Sequence, residues 1–158
     1  MLYQFWIAYL TIARREVLRF TRIWVQTIFP PVMMVALYFI IFGNLIGQRI
    51  GEMDGMNYID FLMPGLVMMS IITNSYTNVV SSFYGAKYSG HIEEMQVAPV
   101  PNIVILLGFV TGGMARGICV GVAVTLVSLL FTDFHMHNPL IVLLVALLTS
   151  CLFSLAGL

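Results

Sequence analysis

From Trp24 to Ile46 the chain carries no acidic, basic or histidine side chain, and the same holds from Phe61 to Phe83, from Gly117 to Phe131 and from Leu140 to Leu158. A helix that crosses the hydrocarbon core of a bilayer needs roughly 20 mostly apolar residues. Backbone amides in lipid find no water to bond, so such runs are stable there when their hydrogen bonds close within the segment, as in a helix. Scarcity of charge excludes a water-covered surface: 9% of residues are charged and 60% hydrophobic, against about 25% charged in soluble domains. The expected fold is therefore all-α, a multi-pass transmembrane helical bundle. Its four spans fall at about 24–46, 61–83, 108–131 and 140–158, the third starting anywhere between Ile103 and Gly117. The formal charge is balanced, and no basic patch points to nucleic acid. Cys119 and Cys151 lie in apolar runs and read as small buried hydrophobes rather than a disulfide or metal pair.

Loop bases orient the spans. Arg14, Arg15, Arg19 and Arg22 precede the first span and Lys87 follows the second, whereas the opposite loops hold Arg49 alone. This places the N-terminus in the cytoplasm, the loops at about 47–60 and 132–138 outside, and the segment at about 84–102 inside. Residues 1–22 are amphipathic. Tyr3, Trp6, Ile7 and Leu10 cluster at helical spacing ahead of the arginines, the pattern of an interfacial helix with aromatics in the headgroup boundary and guanidiniums on anionic lipid. Apolar residues before basic ones, with Gln4 among them, are the reverse of a cleavable signal peptide.

Inside the spans, the polar and small residues carry the information. Pro30-Pro31 predicts a bend or break of the first helix. Ser70, Thr73, Asn74, Thr77, Asn78 and Ser81 share one face of the second, because offsets of three, four, seven, eight and eleven residues return to the same side. Lipid cannot satisfy them, so the face either lines a translocation path or ties helices together. Gly43, Gly47 and Gly51, and likewise Gly113, Gly117 and Gly121, recur every four residues and allow close helix approach, within one subunit or between two. Gly108 and Gly112 precede the second set. Arg116 is expected at the edge of the inner leaflet, either snorkelling to headgroups or paired with Glu93 or Glu94. Asp133, His135 and His137 read as interfacial polar residues rather than a metal site.

The inward segment is Lys87-Tyr-Ser-Gly-His-Ile-Glu-Glu-Met-Gln-Val-Ala-Pro-Val-Pro101. Gly90 opens a short helix there. Glu93 and Glu94 suit the dipole of its first turns, Ile92, Met95 and Val97 supply apolar contacts, and Pro99 and Pro101 end it. Such a helix is either a connector or a docking knob for a partner protein. The chain holds no Gly-rich phosphate loop and no Ser/His/Asp or Glu-x-x-His constellation, so neither an enzyme nor an ATPase is expected.

Gly90-His-Ile92-Glu93-Glu94-Met95-Gln-Val97-Ala98-Pro99, followed by Leu107-Gly108-Phe109, resembles the coupling helix of ABC-2 type permeases. Arg22 to Pro31, Leu37 to Gly47 and Ala115-Arg116-Gly117 resemble bacterial inner-membrane members of that family. The resemblance implies the membrane-spanning subunit of an ABC exporter in the bacterial inner membrane. It implies a homodimer whose cytoplasmic ATP-binding subunits hydrolyse ATP, with no cofactor bound by this chain directly. ATPase coupling then runs through residues at about 88–99: Gly90, Ile92, Glu93, Glu94, Met95 and Pro99. The family has six spans, so a chain with four is expected to be truncated at the C-terminus. The competing expectation is an ATP-independent channel or secondary carrier, which places ionisable residues at mid-membrane.

Overall fold

The computed structural model describes residues 2–42, 52–53, 56–131 and 138–158. Gly43, Gly47, Gly51, Asp133, His135 and His137 lie outside them, so the readings made of those residues stay expectations. The described chain is built from six helices and one minimal hairpin: α1 (Leu2–Arg22), α2 (Trp24–Tyr38), β1 (Glu52–Met53), β2 (Met56–Asn57), α3 (Tyr58–Tyr88), α4 (His91–Val97), α5 (Asn102–Ser128) and α6 (Pro139–Ala156). The strands pair antiparallel with Glu52 opposite Asn57, a small exception to the all-helical expectation.

Among the described residues, three helices are long and apolar enough to cross a membrane: Trp24–Phe42, Asn102–Ser128 and Pro139–Ala156. The first includes a π-helical turn that prolongs α2 to Phe42. α3 has 31 residues, about 46 Å at 1.5 Å per residue. It has the length of a span, but its polar face makes it less apolar than the other three.

The predicted break at Pro30-Pro31 is displaced. α2 runs on through both prolines, and the chain breaks one residue before α2, at Ile23 (φ −112°, ψ 36°). Thr27 secures that corner, its backbone N–H and its hydroxyl both donating to the Ile23 carbonyl at 3.0 and 3.1 Å. The prolines cannot donate to the carbonyls of Gln26 and Thr27, so two helical bonds are given up without ending the helix. The third span begins earlier than 108. α5 starts at Asn102, directly after Pro101. Its 27 residues make it about 40 Å long, and Arg116 lies at the middle of the helix.

α5 is the hub. It packs against α1, α2, α3 and α6, and its glycines decide how. Lipid tails give apolar helices little reason to associate, so contact depends on close approach of small residues. Gly108 and Gly112 lie under Ile12 and Glu16 of α1, while Gly113, Gly117 and Gly121 lie against Val79, Ser75 and Ile71 of α3. α6 adds its own small face, with Ser150 and Ser154 fully buried and Ser154 against Gly113. Its leucines face out: Leu140, Leu144, Leu148 and Leu152 are all exposed. At the hairpin end, Val35, Phe39, Met63, Val120 and Val124 form the apolar core that joins α2, α3 and α5. Phe39 also stacks on Phe131.

Cys119 is exposed and Cys151 half-buried, both free. The expected burial fails for Cys119 because α5 buries its glycine face, and residue 119 points away from it at 100° per residue.

Candidate functional site

α4 lies between the two longest helices, α3 and α5. Its start depends on Gly90, whose backbone is left-handed (φ 75°), a conformation that costs other residues roughly 1–2 kcal/mol. The turn is closed by the Gly90 N–H donating to the Lys87 carbonyl at 3.2 Å and the Glu94 N–H to the Gly90 carbonyl at 3.3 Å. Its end is equally sharp: Ala98 is extended (ψ 146°), as a residue before proline prefers. Ile92 and Met95 are half-buried, while Glu93 and Glu94 are exposed in the first turn. Val97, expected to make an apolar contact, is instead 88% exposed, as is Tyr88 next to the turn at 85%. The surface offered is thus two carboxylates beside the exposed Val97 and Tyr88, the tyrosine ring stacked on Tyr84.

The polar face of α3 divides in two. Asn74 and Asn78 are buried, together with Ser75 and Ser82, which the sequence pattern had not singled out. Thr73, Thr77 and Ser81 are exposed and Ser70 half-buried. The hydroxyls of Ser70, Thr77 and Ser81 donate to the backbone carbonyls of Leu66, Thr73 and Asn78. Ser75 lies under Gly117, where a β-carbon would overlap its hydroxyl. The inner edge of this face ties α3 to α5, and its outer edge is exposed.

A charged cluster joins α1, α3 and α5. Glu16 is 4% exposed. The Ser82 hydroxyl donates to its Oε2 at 2.6 Å, and Arg19 Nη2 pairs with the same oxygen at 3.2 Å. Arg19 Nη2 also donates to the backbone carbonyl and side-chain Oδ1 of Asn78, at 3.1 and 2.9 Å. Arg116 Nη1 reaches that Oδ1 from the other side at 3.4 Å. Arg116 therefore meets Asn78 and neither Glu93 nor Glu94. Among the described residues, Glu16–Arg19 is the one ion pair. About two turns before Glu16 on α1, Tyr9 shares a hydrogen bond with Thr111 at 2.9 Å.

The sequence reading missed Glu16, which is the lone acid in a run of arginines. The signal was its spacing: Ala13, Glu16 and Phe20 are all buried and lie on one helical face. Tyr3 and Trp6 are exposed. Arg14, Arg15 and Arg22 are exposed, whereas Arg19 turns inward.

A groove of about 450 Å³ runs between α2 and α3, with Arg116 of α5 beside it. Gln26, Thr27, Thr73 and Asn74 line the end near α1, and Val35, Tyr38, Leu66 and Met69 the end near the hairpin. A second crevice, about 300 Å³ between α3, α5 and α6, is lined by apolar side chains with Thr125 and glycine. No group of His, Cys, Asp or Glu among the described residues is placed to hold a metal.

Comparison with known proteins matches residues 7–158 to the ABC-2 type transporter family. The chain is 56% identical over 158 residues to the inner membrane transport permease YadH of Escherichia coli (strain K12). The YadH proteins of Escherichia coli O157:H7 and Shigella flexneri match to the same degree. Each match covers 100% of this chain and 62% of the relative. No solved structure matches.

Proposed function

Because the chain belongs to the ABC-2 type transporter family, we propose that it is the membrane-spanning permease part of an ABC exporter, moving substrate outward while a separate cytoplasmic subunit hydrolyses ATP. The observation that carries this reading is α4. It is a short helix set off by a left-handed glycine at one end and an extended Ala98-Pro99 at the other, so it is mechanically distinct from α3 and α5 yet covalently joined to both. Force applied to its exposed face passes directly into two long helices. α3 and α5 meet along interlocked small residues and move as a pair. In this reading α3 is a fourth span beside the three apolar helices. The N-terminus and α4 face the cytoplasm of a bacterial inner membrane, and two permease copies assemble with two ATP-binding subunits. α1 lies at the cytoplasmic boundary, with Tyr3 and Trp6 toward lipid.

The test is reconstitution of the full-length permease with its ATP-binding partner. Charge reversal at Glu93 or Glu94, or Gly90→Pro, is expected to leave ATP hydrolysis running while transport stops. Unchanged coupling in all three variants excludes α4 as the lever. Labelling of a cysteine placed at Glu93 by a membrane-impermeant reagent from outside intact cells overturns the orientation.

One observation favours a second reading, an ion-coupled carrier. Glu16, Arg19 and Arg116 form a charged cluster among the helices, the kind of feature found on ion pathways. Ion-driven flux in proteoliposomes without any ATP-binding subunit supports the carrier and excludes the exporter.

A further inference from the structure

We propose that the groove between α2 and α3 binds an amphiphile with an anionic phosphate group, the phosphate held by Arg116. The charge balance of the cluster leads here. Arg19 and Arg116 bring two guanidiniums, and Glu16 brings the one carboxylate, which Arg19 and Ser82 already engage. Arg116 is left with a single long bond, 3.4 Å to an Asn78 oxygen that Arg19 holds more closely at 2.9 Å. Its Nε is buried with no partner among the described residues. A guanidinium has five N–H donors in a planar fork that matches the oxygens of phosphate. A poorly satisfied one beside an open groove is an anion site by its own chemistry.

The groove supplies the rest of the recognition. Next to Arg116 it presents Thr27, Thr73 and Asn74, and further along it presents Met34, Leu66 and Met69. At the apolar end Val35 belongs both to the groove wall and to the core cluster with Phe39 and Met63. A polar head end and an apolar body end in one cleft fit an amphiphile rather than a free ion. The binding site stands whether or not the chain exports its ligand. The phosphate amphiphile has two possible sources, a bilayer phospholipid or a single-chain phosphate brought to the protein.

The experiment is native mass spectrometry of the full-length permease in a neutral maltoside detergent. It is titrated with dioctanoyl phosphatidic acid, dodecyl phosphate, zwitterionic dodecylphosphocholine and inorganic phosphate. The wild type is expected to hold phosphatidic acid about tenfold more tightly than dodecylphosphocholine, as a charge-assisted bond implies. Equal retention of dodecyl phosphate assigns a site for phosphate amphiphiles in general, and preference for phosphatidic acid assigns a bilayer-lipid site. Arg116→Gln is expected to abolish the preference, and Arg116→Lys to keep part of it. Thr73→Leu fills the groove with the charge intact and is expected to weaken both phosphate amphiphiles. It carries the test if Arg116→Gln does not fold. Unchanged preference in Arg116→Gln, or undiminished binding of both phosphate amphiphiles in Thr73→Leu where that variant carries the test, overturns the proposal. So does equal retention of dodecylphosphocholine, or competition by inorganic phosphate at the affinity of dodecyl phosphate.

Discussion

Replacing Glu16 tests whether α1 is a structural part of the bundle or a detachable flank. Glu16→Ala keeps the β-carbon that lies over Gly112, so helix packing is little disturbed and the loss is mainly electrostatic. Three contributions add. The Ser82 hydroxyl loses a carboxylate acceptor at 2.6 Å, a charged hydrogen bond of about 1.5–3 kcal/mol. The pair with Arg19 is lost as well, but that side chain is 38% exposed, so solvent screening holds this part to about 1 kcal/mol or less. Arg19 and Arg116, both on the Asn78 oxygen, are left without a counter-charge. Together these predict about 3 kcal/mol of destabilisation, within the range for breaking a buried pair. At roughly 2–4 °C per kcal/mol for a chain of this size, Tm falls by about 6–12 °C. The assay is thermal unfolding of the full-length permease in detergent, followed by tryptophan fluorescence. A double-mutant cycle of Glu16→Gln with Arg19→Gln isolates the pair and is expected to show coupling of about 0.5–1 kcal/mol. A Tm for Glu16→Ala within about 1 °C of wild type, on the same scale, refutes the reasoning, and strict additivity in the cycle refutes the pairing.

Other substitutions probe separate parts of the structure. Gly117→Val drives a branched side chain into Ser75 and the Ile71 carbonyl and should cost about 1–3 kcal/mol or more of thermal stability. Gly85→Ala meets nothing within 4 Å and should stabilise α3 by up to about 1 kcal/mol; the two shifts measured side by side must have opposite signs. Gly90→Ala also meets open space, but at φ 75° it should cost about 1–2 kcal/mol, and hydrogen exchange should show the loss confined to the turn before α4. Leu144→Asp, on the exposed face of α6, should reduce membrane insertion by about 3 kcal/mol in a glycosylation-mapping assay; undiminished insertion would show that this face does not meet lipid.

Hydropathy alone located most helices, because the cost of burying charge in lipid acts residue by residue and needs no partner. Three apolar helices emerged close to the expected positions, and α3 was recognised although its polar face dilutes its apolar character. The short helix after Gly90 was legible for an equally local reason. A left-handed glycine before it and two prolines after it restrict the backbone whatever surrounds them.

Residue partnerships were a different matter. Gly108 and Gly112 serve α1, whereas Gly113, Gly117 and Gly121 serve α3, yet spacing presents both sets merely as small residues on α5. Periodicity grouped six polar residues on α3 without separating the buried Asn78 from the exposed Thr77, because burial depends on which neighbour arrives. In the sequence Arg116 is only a charge that lipid makes expensive. The fold offers Asn78 and an open groove, neither of which adjoins it in the chain. Glu16 is the clearest case, a lone acid among arginines whose partner Ser82 stands 66 residues away. Solvation by lipid is a one-body property and is written along the chain, whereas pairing inside the bundle is a two-body property that exists only once α1, α3 and α5 have met.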